Sequence, residues 1–156
     1  MARTTFSGPV ASDNGFIGNI AGTVTGTIAT TELTAASTLT AAQSGTTFFL
    51  NSATEFATTL PAPAAGLVYT FIVKAAPSGA SYTIVTSSSA NIIKGVQVTA
   101  EDAGGSGDSG TADDTITFVD GQAVAGDTVT CISDGTSWFA YATTKLVAGL
   151  TFTQAS

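Results

Sequence analysis

Thr128-Val129-Thr130-Cys131-Ile132, then Asp134-Gly135, then Trp138-Phe139-Ala140-Tyr141: two β-branched and aromatic runs flank an Asp-Gly pair. Runs of this composition fit a pleated, half-buried surface. Asp-Gly supplies the positive φ that tight primed turns require, so the segment predicts a β-hairpin.

The same pattern recurs upstream. Leu67-Val68-Tyr69-Thr70-Phe71-Ile72-Val73 is apolar on both faces, which predicts a central strand. Thr46-Thr47-Phe48-Phe49-Leu50 is a short strand candidate, and residues 56–60 form another that stops at Pro61 and Pro63. Pro77-Ser78-Gly79 turns the chain into Tyr82-Thr83-Ile84-Val85. Ile92-Ile93 and Val96-Gln97-Val98 flank Lys94-Gly95, and Thr115-Ile116-Thr117-Phe118-Val119 precedes Asp120-Gly121. The one helix-like stretch, residues 34–43, is depressed by Thr and Ser. Short strands at this spacing predict an all-β fold. The expectation is a single β-sandwich or barrel-like domain of short antiparallel strands over residues 32–156. Trp138 and Phe71 are expected in its core, and Tyr141 is expected to pack as well.

Residues 1–31 read differently, as an extended N-terminal arm. Ser7-Gly8-Pro9 and Asp13-Asn14-Gly15 are turn signals. Beyond them Ile20, Gly22, Val24, Gly26 and Ile28 alternate with Ala21, Thr23, Thr25, Thr27 and Ala29. Period two indicates an extended strand. Glycines on its apolar face allow another backbone to approach closely. Phe6, Pro9, Phe16, Ile20, Val24 and Ile28 are therefore the candidate partner-binding residues. The arm is expected to dock on its own domain or on a neighbour, and a strand laid on an open edge gains main-chain hydrogen bonds without needing charge.

Composition narrows the function. Of 156 residues, 44% are hydrophobic and 10% charged, with a net charge of −7 and four Lys or Arg in total. Ordinary soluble domains carry roughly 25% charged residues. A Thr-rich surface of low charge suits being covered, and it equally suits plain solvation of strand faces. Four cations do not make a phosphate-binding surface, so neither nucleic acid nor an anionic membrane is an expected partner. There is no His, so a conventional Ser-His-Asp triad cannot be built. The single Cys, Cys131, excludes an intrachain disulfide and reads as a small buried hydrophobe. No apolar leader region follows Met1, which predicts synthesis in a cytoplasm. No cofactor is expected, and the chain does not read as an enzyme.

One acidic cluster stands out: Glu101, Asp102, Asp108, Asp113 and Asp114, around a Gly-rich stretch. Oxygen ligands on a bendable loop suit calcium, but the spacing does not match an EF-hand. The five are weak metal candidates only, and no metal is expected. Residues 101–134 hold eight acidic residues, expected mainly on loops at one end of the domain, facing water.

Four segments carry a family resemblance. They are Phe6-Ser7-Gly8-Pro9-Val10 followed by Asn14-Gly15-Phe16, then residues 39–51, then residues 59–67, and the final hairpin from Gly126 to Phe139. Together they resemble the head (capsid) decoration, or cement, proteins of tailed bacteriophages. The resemblance implies a structural protein on the outer surface of the virion. It would be a homotrimer that binds the major capsid protein and clamps neighbouring capsomers. It carries over no catalytic residue. Similar β modules occur in phage tail and fibre proteins, so the alternative is a receptor- or glycan-binding module of a tail or head fibre.

Overall fold

The computed structural model describes residues 28–52, 54–100 and 112–154. They form eleven strands: β1 Thr30–Leu33, β2 Ser37–Thr38, β3 Thr46–Leu50, β4 Ala57–Thr59, β5 Val68–Val73, β6 Tyr82–Val85, β7 Ile93–Thr99, β8 Thr115–Phe118, β9 Thr128–Ser133, β10 Trp138–Thr144 and β11 Leu150–Thr153. The fold is all-β, in two mixed sheets. One has the order β1-β3-β5-β9-β10-β7 and the other β11-β8-β6-β4-β2.

The strands are not simply antiparallel, which corrects the expectation. β1–β3, β3–β5, β7–β10, β2–β4 and β4–β6 pair in parallel. β5–β9, β9–β10, β6–β8 and β8–β11 are antiparallel. The cause lies in the path of the chain. From β1 to β9 each strand joins the opposite sheet from its predecessor. A strand that returns after such an excursion can enter its sheet in the original direction. Pro61-Ala62-Pro63 and Pro77-Ser78-Gly79 therefore connect sheets and do not close hairpins.

Three local expectations are also revised. Residues 34–43 hold β2 and a short 3-10 turn, Ala41–Gln43, in place of a helix. Lys94-Gly95 does not separate two strands but lies inside β7. The β9–β10 hairpin is present, with Ser133 opposite Trp138, so its loop is the four residues 134–137 and not a two-residue primed turn. Gly135 does take positive φ, at 103°. The Asp134 carboxylate organises the loop by accepting from Thr136 N at 2.8 Å and Ser137 N at 2.7 Å.

Alternation then builds the core. β5 buries Tyr69, Phe71 and Val73, and β3 buries Phe48 and Leu50. Trp138, Val129 and Ile93 add to the same sheet's buried face, while Tyr82, Ile84, Ile116, Phe118 and Leu150 come from the other sheet, all in one core cluster. Phe71 and Trp138 have no exposed surface, as expected from sequence. Phe48 stacks on Phe71 with ring centroids 5.6 Å apart, and Tyr69 lies 5.7 Å from Trp138. β5 has neighbours on both sides, as its two-sided apolarity predicted. β1 begins at Thr30, so the sheet takes in the last two residues of the 1–31 segment.

Candidate docking face

The outer face of the six-stranded sheet follows from the register. One row runs Thr30, Thr47, Thr70, Thr130, Tyr141 and Val96 across all six strands. The next runs Glu32, Phe49, Ile72, Thr128, Thr143 and Val98. Val68, Ile132, Phe139 and Lys94 continue the face beyond the first row. In β3, β5, β9 and β10 these positions face outward because their chain neighbours are buried.

Charge is nearly absent from this surface. Glu32 lies at its edge and is ion-paired with Lys74. Lys94 holds its ammonium 5.3 Å from the centroid of the Phe139 ring. Threonine ladders solvate the middle of the face, where Thr70 and Thr130 hydroxyls lie 3.1 Å apart. Toward β7 the face becomes apolar. Val96, Val98, Ile132 and Tyr141 are exposed there, at 41%, 62%, 39% and 55%. Ile28 is the other exposed large hydrophobic among the described residues. A contiguous apolar group on an otherwise polar exterior marks an interaction surface more often than scattered single residues do.

Tyr141 thus corrects the expectation that it packs: in β10 the buried residues are Trp138, Ala140, Ala142 and Thr144, and Tyr141 falls on the opposite phase. Of the six arm candidates, Ile28 is described, 72% exposed beside the start of β1. Phe6, Pro9, Phe16, Ile20 and Val24 lie outside the described residues.

The acidic candidates fare differently. Glu101, Asp102 and Asp108, with the Gly-rich stretch around them, lie outside the described residues. Asp113 and Asp114 are buried, at 4% and 2% exposure, against the expectation of a solvated loop. Asp113 forms a two-way backbone bridge with Ile93, and Asp114 accepts from Thr115 Oγ1 at 2.7 Å. Among the described residues no group of three or more His, Cys, Asp or Glu is placed to hold a metal ion.

Nor do the acidic residues gather at one end. Asp127 precedes β9 and Asp134 follows it, and Asp114 and Asp120 flank β8 in the same way. Asp127 is buried because backbone amides replace its water: Val124 N donates to one oxygen at 2.9 Å and Lys145 N to the other at 2.8 Å. Such bonds offset the desolvation cost without a cationic mate. Asp134 stays exposed, and its loop hydrogen bonds, from Ser137 first and then Thr136, hold its carboxyl below the usual range. Cys131 is fully buried, and desolvation pushes its thiol up to about 12.

Sequence reasoning missed the face as a unit. Its rows join residues far apart in the chain, and only the parallel and antiparallel registers of the sheet together align them. The available signal is the Thr-rich, low-charge composition, with Thr128 and Thr130 alternating in β9, and it suits being covered and plain solvation equally. No protein-family model, curated protein or solved structure matches this chain.

Proposed function

We propose that the chain is a structural virion protein. It binds the outer surface of an assembled phage capsid, contacts the major capsid protein and cements neighbouring capsomers, acting as a homotrimer. In this reading the two sheets pack as a sandwich, and the outer face of the six-stranded sheet, together with the arm residues Phe6 to Ile28, lies against the shell. The observation that carries it is the apolar, nearly uncharged surface of β9, β10 and β7 on a protein of net charge −7. Interface cores are depleted in charge and enriched in aromatic residues. Weak contacts repeated over a symmetric shell add up to firm attachment.

The exposure of Tyr141 favours a second reading, a receptor- or glycan-binding module of a fibre, because an exposed aromatic ring can stack on a sugar. Imaging of intact particles separates the two by position, on the capsid lattice or on a fibre. A shell-binding assay tests the face itself. Tyr141→Lys with Val98→Lys should weaken shell binding at least tenfold in Kd, about 1.4 kcal/mol, with the melting temperature unchanged. Full occupancy of that double variant would refute the docking face.

A further inference from the structure

The end of the sheet where β1, β3 and β5 stop carries a constellation that the docking reading does not use. Asn51 Nδ2 donates to Glu32 Oε1 at 2.6 Å, and Lys74 Nζ is ion-paired with Glu32 Oε2. One carboxylate therefore holds a carboxamide on one oxygen and an amine on the other. The backbone beneath is fixed. Asn51 N donates to Leu33 O at 2.9 Å and Lys74 N to Leu50 O at 2.9 Å. Leu50 is the register partner of Val73, so Asn51 and Lys74 are the next positions along two adjacent parallel strands. Strands in a sheet lie about 4.8 Å apart, a gap that a bond between an Asn and a Lys side chain can span.

We propose that this is a site of intramolecular amide-bond formation, joining Lys74 Nζ to Asn51 Cγ. The Glu32 carboxylate takes a proton from the Lys74 ammonium. The freed lone pair attacks Asn51 Cγ, and the carbonyl π pair moves onto Oδ1. Collapse of the tetrahedral centre breaks the Cγ–Nδ2 bond, and Glu32 returns its proton to the departing nitrogen. Of the three ammonium protons, one stays on the new amide and two leave with the Asn51 nitrogen as ammonium ion. No oxidant, metal or cofactor enters the balance.

Two physical points decide the pace. A lysine amine attacks only in its neutral form, which is scarce near pH 7. Against that, positioned groups react with effective molarities of about 10⁵–10⁸ M, and the bond has to form only once in the life of a chain. Glu32 and Lys74 side chains remain 41% and 50% exposed. Water therefore keeps the reaction slow in the free protein. The product would be a covalent tie between β3 and β5.

The test is the mass of the purified full-length chain, fresh and after prolonged mildly alkaline incubation, followed by peptide mapping. The expected result is a loss of one ammonia with a branched peptide joining Asn51 to Lys74. Glu32→Gln, Lys74→Arg and Asn51→Ala should each yield no branched peptide. Three results would overturn the proposal: an unchanged mass after alkaline incubation, an ammonia loss that maps to Asn14-Gly15, or a branched peptide that forms at an undiminished rate in Glu32→Gln.

Discussion

Phe152, on β11 of one sheet, occupies the space that a side chain on Gly95 of β7, in the other sheet, would need. Gly95 faces inward, between the buried Ile93 and Gln97, and a Cβ there would overlap the Phe152 ring. The glycine is thus a seat for an aromatic ring at the margin between the sheets. Gly95→Ala should destabilise the protein by about 1–3 kcal/mol, the usual cost of overpacking. Gly95→Ala combined with Phe152→Ala should recover part of that loss. Denaturant titration of Gly95→Ala, Phe152→Ala and the double variant measures the coupling, and an additive result would sink the idea.

Phe71 and Trp138 are fully buried in a shared aromatic group with Phe48 and Tyr69. Phe71→Ala and Trp138→Ala should each cost about 3–5 kcal/mol by equilibrium unfolding. Trp138→Phe should be much milder. The indole Nε1 has no hydrogen-bond partner among the described residues, so its removal gives up volume but no protein hydrogen bond.

The buried Asp127 carboxylate ties the loop before β9 to the chain after β10. Asp127→Ala leaves Val124 N and Lys145 N without their acceptor and should cost about 2–4 kcal/mol, given ~1–3 kcal/mol for each orphaned buried group. Asp127→Asn keeps one acceptor oxygen and should cost less. Chemical denaturation of both variants gives the ranking, and equal losses in the two would mean that the charge, and not the hydrogen bonding, is what matters.

Glu32 and Asp134 both titrate below the ordinary carboxylate range in the folded protein. For Glu32 the main cause is the Lys74 side chain, followed by Asn51. For Asp134 it is the Ser137 backbone amide, followed by the Thr136 amide. The folded state favours both ionised forms. Their contribution is present above pH ~4, where an unfolded carboxyl is already ionised, and is lost as pH falls through the lowered folded values. Melting temperature should therefore fall in acid, less steeply in the Asp134→Asn variant. An identical acid limb in that variant would remove Asp134 from the account.

Cys131 gives the opposite sign. Its raised value of about 12 means the folded state holds the thiol neutral. The associated stability is intact below the thiol's unfolded value of ~8.5 and drains away as pH rises toward the folded one. At pH 8 Cys131 should resist alkylation until denaturant is added, as mass spectrometry can follow. Rapid labelling of the native protein would place the thiol nearer the surface than its zero exposure indicates.

How far the sequence carried the fold depends on the range of the interactions. Alternation in residues 67–73 placed Phe71 inside, and Asp134-Gly135 marked a real hairpin, because each is settled within a few residues. The parallel pairing was not legible. Nothing local to Thr46-Thr47-Phe48-Phe49-Leu50 says that its neighbours are Thr30–Leu33 and Val68–Val73. Tyr141 was misplaced because both phases of Trp138-Phe139-Ala140-Tyr141 carry aromatics, and only the sheet decides which phase is covered. Asp113 and Asp114 were misplaced because carboxylates in a Gly-rich stretch read as solvated, while their burial depends on β7 and β8. The cluster of Glu32, Asn51 and Lys74 left no trace in the sequence, since its members meet only through register.

The alternation of strands between the sheets has a kinetic consequence. Most strand neighbours meet only after the chain has made an excursion through the other sheet, so loop-closure entropy is spent before most pairings form. Folds dominated by such distant contacts reach the native state in about milliseconds to seconds, far slower than helical bundles. The β9–β10 hairpin is the exception, joined by four residues, and β10 then offers its free edge to β7. This hairpin is the natural nucleus, and conservative substitutions within it, such as Val129→Ala, should slow refolding. Equivalent changes in β1 should instead accelerate unfolding.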